Sequence, residues 1–209
     1  MIYRYSIDTF LGKIYFVSNE NMLLCISFKD PIDNPLVTVK ETANKPIKDA
    51  IKWLNLYLDH KNPPPLSLKI THLKEFLRNT LELVKEIPYG KTITYKDLGQ
   101  RYQERYKVKS MSLQALGTTL GNNLYAILIP CHRVIGSNNR LGGYAFGIEK
   151  KLALLEHEGI DTSKLKYEKE KMRYLYFEIF TFTKKSNTLL TIKAIYGYRF
   201  VIFGHNFRL

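Results

Sequence analysis

Two cysteines stand in the 209-residue chain, and one of them, Cys131, sits in a run whose residue types could do chemistry: Ile129-Pro130-Cys131-His132-Arg133-Val134-Ile135. A thiol attacks carbon as the thiolate, and a free cysteine with a pKa near 8.5 is only a few per cent ionised at pH 7. Lowering that pKa by about two units would raise the thiolate fraction over tenfold, so a base is expected close by. His132 is the adjacent candidate. Neighbours in an extended chain point to opposite faces, so a water relay between imidazole and sulfur is the easier geometry. The bland alternative is a small buried hydrophobe beside a core histidine, and Cys25, in an apolar stretch, fits it. Cys25, Cys131, His132 and His157 have no recognised metal-ligand spacing. No Cys-x-x-Cys pair offers a resolving thiol, and there is no phosphate loop. No metal and no cofactor is therefore expected. A Cys-His hydrolase would also need an oxyanion hole and a third catalytic member, to which no residues can be assigned.

Cys131 has to be presented by its surroundings. Ile127 to Ile129, stopped by Pro130, reads as a buried extended segment that delivers Cys131 to a turn. A Gly-rich loop, residues 141–147, follows, and then a helix from Ile148 to His157 closed by Gly159. Upstream, Phe76, Leu77, Thr80, Leu81, Val84 and Ile87 share one helical stripe that stops at Pro88-Tyr89-Gly90. Thr94 should cap a helix from Tyr95 to about Arg105, and Ser112 another from Leu113 to about Leu120. Two short helices joined by a turn among basic residues fit a helix-turn-helix unit. Nearer the N-terminus, residues 2–28 alternate like a strand meander, residues 29–46 read mainly as loop, and residues 46–59 follow a helical period. Pro63-Pro64-Pro65 then suits a stiff connector. The expected architecture is α+β. A small N-terminal sheet-and-helix domain (1–68) precedes a mainly helical domain (69–160) and a C-terminal extension (161–209).

The block around Cys131 lies twelve to thirteen residues before Gly143-Tyr144 and about 27 before Glu158-Gly159. It resembles the active-site block of the O6-alkylguanine-DNA alkyltransferases. The resemblance extends through Phe76, Ile87-Pro88-Tyr89-Gly90-Lys91-Thr92, Thr94-Tyr95, Leu116-Gly117, Asn122-Asn123, Leu141-Gly142-Gly143-Tyr144 and Lys151 to Gly159, in the family's order and approximate spacing. It implies that Cys131 accepts an alkyl group from O6 of guanine, possibly also O4 of thymine, once and irreversibly. His132 would be the relay base, oriented by Glu158. Tyr95 would donate to the guanine ring, and Asn123 would be the hinge between recognition helix and active-site strand. Arg133 would be a structural ion-pair partner and Tyr144 part of a lid. Ala145 stands where the family often has serine, with its backbone amide left to reach O6. Gln114 falls where the family carries a base-extruding arginine, and Ser112 precedes it. A neutral amide lacks guanidinium charge and planar stacking area, so weaker extrusion is expected. A lesion-binding relative without catalysis is the alternative that this departure keeps open.

Composition sets the context. The chain carries 32 Lys+Arg against 19 Asp+Glu, a net charge of +13, with 45% hydrophobic and 13% aromatic residues. That excludes a largely disordered chain and, with two cysteines, a disulfide framework, and points to a reducing compartment. No run of about 20 apolar residues suggests a membrane span. The expected partner is double-stranded DNA containing O6-alkylguanine, bound by a monomer with no membrane association, in the cytoplasm, or the nucleus if the source is eukaryotic. Residues 161–209 hold ten Lys/Arg, four Asp/Glu and dense aromatics. Within them Tyr174 to Thr183 and Thr188 to Tyr196 read as a hairpin with a following strand.

Overall fold

The computed structural model describes residues 1–32 and 37–167 in full, and beyond them the backbone of two short strands. The alternating N-terminal run forms β1 (Ile2–Thr9), β2 (Gly12–Ser18) and β3 (Leu23–Ser27), paired antiparallel in the order β3-β2-β1. The register sets Ile7 opposite Ile14, and Phe16 opposite both Tyr5 and Ile26. Ile14, Phe16 and Ile26 are all buried. The segment expected as loop supplies a fourth strand, β4 (Val39–Glu41), parallel to β1 at the sheet edge. Val37-Thr38-Val39 is β-branched, which favours extension. Arg4 on β1 also reaches across to Glu41 and Asp30 with its guanidinium.

Helix α1 (Lys45–Leu58) is capped by Asn44, whose side chain accepts from the Ile47 amide, and it turns Ile47, Ala50, Leu54 and Tyr57 inward against the sheet. The proline connector lies along this helix, because Trp53 Nε1 donates to the Pro64 carbonyl at 2.7 Å. Helices α2 (Glu75–Lys85), α3 (Tyr95–Tyr106) and α4 (Leu113–Gly121) pack on one another as the expected helix-turn-helix with its supporting helix. Thr94 and Asp97 form a reciprocal capping box at the start of α3, and Ser112 caps α4. A two-residue strand β5 (Ile93–Thr94) pairs in parallel with β6 (Val134–Ile135), and α5 (Ile148–His157) follows. One hydrophobic core runs from Phe16, Ile26 and Leu54 through Leu81, Val84 and Leu98 to Ile129, Val134 and Leu154.

The segment before Cys131 differs from expectation. Tyr125 makes a single bridge to Ile26, and the chain then turns over Ala126–Leu128, with Ile127 at φ +68°. Ala126 N still donates to Ile26 O of β3 at 3.0 Å, and past that bond the amides close on the segment itself. Leu128 N donates to Ala126 O at 2.8 Å and Ile129 N to Tyr125 O at 2.9 Å. A β-branched residue in the left-handed region is a strained conformation of the kind that clusters at functional sites. After α5, Lys166 pairs with Arg140, its amide donating to Asn139 O and its carbonyl accepting from Leu141 N. Beyond Tyr167, strands β7 (Thr191–Lys193) and β8 (Arg199–Val201) pair antiparallel. The strand expected over 174–183 lies outside the described residues.

Because α3 begins on the Thr94 cap, Thr94→Ala should lower stability by about 1 kcal/mol, read as a lower urea midpoint with an unchanged denaturant slope.

Candidate active site

Cys131, His132 and Arg133 form a single 3-10 turn between the irregular segment and β6, and all three are buried. Cys131 is 6% exposed. Asn123 Nδ2 lies 3.1 Å from its sulfur and also donates to the Ile129 carbonyl at 2.9 Å. The amide's orientation is set by its oxygen, which accepts from Tyr125 N at 3.0 Å. Burial pushes the Cys131 thiol up, and the Asn123 donor, the Lys151 charge and nearby backbone amides offset this only in part. The expected lowering of the pKa is therefore not what the site produces. At rest the sulfur keeps its proton.

His132 is held by a buried carboxylate. Glu158, at the C-terminal cap of α5, is 5% exposed and gathers donors from three parts of the chain. Oε1 meets His132 Nε2 at 2.7 Å, Tyr57 OH at 2.8 Å and Arg133 Nη2 at 2.9 Å. Oε2 meets Arg133 Nε at 2.8 Å and the Gly90 amide at 3.2 Å. Burial alone would raise the carboxyl, but the hydrogen bonds and charges of His132 and Arg133 hold it below the usual range. An ionised carboxylate only accepts, so His132 Nε2 carries the hydrogen. Burial also lowers the imidazole against the pull of Glu158, so the ring is neutral near pH 7 and Nδ1 is left with its lone pair. Nδ1 is buried and has no hydrogen-bond partner among the described residues.

Tyr95 opens α3 beside this turn, its ring between α4 and the Gly-rich loop. A Cβ added at Gly142 would come within 3.2 Å of Tyr95 Cε2, and one at Gly117 within 3.8 Å of Cε1. Gly142 also sits at φ +71°, so both its missing side chain and its backbone freedom are used. Tyr144 packs edge-on to His132 at 6.5 Å and to Phe146 at 5.5 Å. Its hydroxyl is buried with no partner among the described residues. Burial, helped by Cys131, pushes both tyrosine hydroxyls up, so both remain donors. Ala145 is half-buried in the same loop. Ser112 and Gln114 stand apart from this cluster, exposed on the first turn of α4, with Ser112 Oγ accepting from the Ala115 amide at 3.2 Å.

Residues 75–160 match the family described as 6-O-methylguanine DNA methyltransferase, DNA binding domain, and residues 1–71 match its ribonuclease-like domain. A methylated-DNA–protein-cysteine methyltransferase of Methanocaldococcus jannaschii is 33% identical over 169 residues, covering 78% of this chain and 95% of the relative. The chain belongs to the 6-O-methylguanine DNA methyltransferase family. A probable methylated-DNA–protein-cysteine methyltransferase of Acanthamoeba polyphaga mimivirus is 32% identical, covering 75% of this chain and 96% of the relative. Among solved structures, Mycobacterium tuberculosis OGT in complex with DNA superimposes with a TM-score of 0.64 at 26% identity, over 78% of this chain and 94% of that one.

Within the segments matched to this methyltransferase family, two buried side chains matter that sequence reasoning missed. Tyr57 falls within the helical period over residues 46–59, which gives no sign that its hydroxyl has a partner 101 residues away. Lys151 did carry a signal: it falls on the same face of α5 as Leu154, Leu155 and Glu158, where a lysine needs a reason. Its ammonium is fully buried and donates to three carbonyls, Val134 and Leu141 at 2.7 Å and Gly143 at 3.1 Å. Burial pulls it down to about 8, with Cys131 opposing, while three acceptors matched to three N–H groups favour the charged form. It thus ties β6 to the loop carrying Tyr144. Lys151→Met leaves those carbonyls without their donor and should cost at least about 2 kcal/mol, measured by urea unfolding.

Proposed function

We propose that this protein repairs DNA by taking a methyl or larger alkyl group from O6 of guanine, with O4 of thymine a further substrate position, onto Cys131 in a single irreversible turnover. The observation that carries this reading is a buried thiol, protonated at rest, beside a histidine whose Nε2 is committed to Glu158 and whose Nδ1 is free to accept. In the reaction the sulfur–carbon bond forms as the carbon–O6 bond breaks. The thiol proton passes to His132 Nδ1 through a water, because the turn places no direct Cys131–His132 hydrogen bond. The electron pair of the broken bond goes to O6 and spreads into the purine, where the Tyr95 hydroxyl meets the developing charge. A thioether has no proton to lose and no good leaving group, so nothing restores the thiol.

The target atom lies inside a stacked duplex, and the nucleotide must be turned out of it at a cost of a few kcal/mol. The α3–α4 unit with its basic surroundings suits the duplex, and a net charge of +13 favours phosphate contact. Gln114 on the exposed first turn of α4 takes the place of a guanidinium in extrusion, with less charge to offer. Every group the reaction needs comes from one chain, which supports a monomer as the working unit.

Incubation with a duplex carrying O6-methylguanine should add one CH2 equivalent, about 14 Da, to the Cys131 peptide, a gain distinct from oxidation. Cys131→Ala should abolish the gain while still binding the duplex. Tight binding of the lesion with no mass gain on the wild-type protein would instead mark a non-catalytic lesion-binding protein. Because burial lowers the imidazole of His132, the transfer rate should be flat through neutral pH, with its acid limb below the ordinary histidine value of about 6.5. Single-turnover rates from pH 5 to pH 8.5 check this, and an acid limb centred above 7 would contradict it.

A further inference from the structure

We infer that Tyr57, from the N-terminal half of the chain, is a positioning residue for alkyl transfer: its hydroxyl shares one oxygen of Glu158 with His132 and so sets how strongly that carboxylate holds the imidazole's Nε2 proton. The inference rests on the reading of Cys131 and His132 given above and assigns the N-terminal half a part in it. Tyr57 is 1% exposed on the last turn of α1, 101 residues from Glu158. Its ring cannot swing away. Trp53 stacks on it at 5.6 Å, Tyr89 meets it edge-on at 5.8 Å, and His157 lies 5.1 Å away. The hydroxyl therefore stays aimed at Oε1, 2.8 Å off, beside the 2.7 Å contact with His132. Burial and the neighbouring carboxylate push the phenol far up, so it keeps the proton that it donates to Glu158.

The consequence has a definite sign. Each donor on a carboxylate oxygen draws off part of its charge, leaving less to stabilise a cation on the other side. Without the Tyr57 hydroxyl, more of the Glu158 charge faces His132 Nε2, the imidazolium is favoured, and the neutral base becomes scarcer as pH falls. The other titratable or charged groups around the pair are Arg133 and Cys131 of the same turn, Lys151 on α5, Tyr144 of the loop, and Tyr89 and His157 against Tyr57. All of them are retained when Tyr57 alone is changed. An N-terminal half that served only to complete the core would need the Tyr57 ring but not its oxygen.

Tyr57→Phe removes that oxygen and keeps the ring packing. In single-turnover transfer from an O6-methylguanine duplex, the acid limb of Y57F should move up by about half a pH unit, a loss about threefold greater on the acid side than at pH 8. Independently of transfer, the Nε2 proton resonance of His132 should move to lower field as its bond to Glu158 strengthens. An unmoved resonance, or an unmoved acid limb in a protein whose wild type transfers methyl, overturns the inference. A wild type that transfers nothing while the resonance still moves overturns the alkyl-transfer reading and leaves the coupling standing. If Y57F does not stay folded, 3-fluorotyrosine at position 57, a stronger donor, should move both readouts in the opposite direction. Readouts unmoved there overturn the inference equally.

Discussion

A buried carboxylate with all its acceptor positions taken is the constraint on which the rest of the site depends. Taking Glu158 out of water would cost several kcal/mol if it were left unpaired, and the chain meets that cost with five donors. They come from α1, from the turn after α2, and from the 3-10 turn that carries Cys131. The two Arg133 bonds form a fork on the carboxylate, while its remaining nitrogen donates to the Ile87 carbonyl. One side chain therefore welds the end of α2, the active-site turn and the end of α5. The histidine tautomer follows from this packing, because a saturated, ionised Glu158 leaves His132 no choice of which nitrogen to protonate.

The backbone around Cys131 poses the opposite problem, with acceptors in excess and little sheet to satisfy them. Between Asn122 and Gly143 the chain contributes only the two residues of β6 to a ladder. Side chains take over that work. Asn123 serves carbonyls on both sides of the Ile127 turn, and Lys151 serves three more across β6 and the loop. Lys166 closes the far side of the loop through its main chain. An irregular segment buried this deeply is stable only if such partners are complete. That completeness also gives the sulfur a fixed address relative to Tyr95 and Tyr144.

Much of this was legible in the sequence, and what was not has a physical reason. Alternation announced β1 to β3, and the 3.6 period announced α1 and α2, because both patterns report which face is buried. The Thr94 and Ser112 caps were readable as side-chain chemistry at helix starts. The Cys131 cluster, with His132, Asn123 and Glu158, was reachable through its spacing and its resemblance to a family. Strand β4 was hidden because Pro31, Asp33 and Pro35 nearby suggest a loop, and its parallel pairing with β1 is a long-range contact that no local pattern marks. The Ile127 turn was misread as extension, since an apolar run with a following proline carries no mark of a left-handed residue. Tyr57 was invisible as a functional group, because helical periodicity records that a ring is inside but not what its oxygen touches.

The raised pKa of Cys131 runs against the simple expectation for a reactive thiol, yet it suits the proposed role of a nucleophile that is spent in one event. A permanently ionised, exposed cysteine would react with oxidants and stray electrophiles, and each such reaction would waste a whole protein molecule. Burial keeps the thiol protonated at rest, and in the proposed reaction proton removal by His132 and attack on carbon proceed together. The site thus trades a standing thiolate for a base held ready at fixed orientation. Selectivity then depends less on the sulfur itself than on the groups that hold Glu158 and His132, and these are drawn from both halves of the chain.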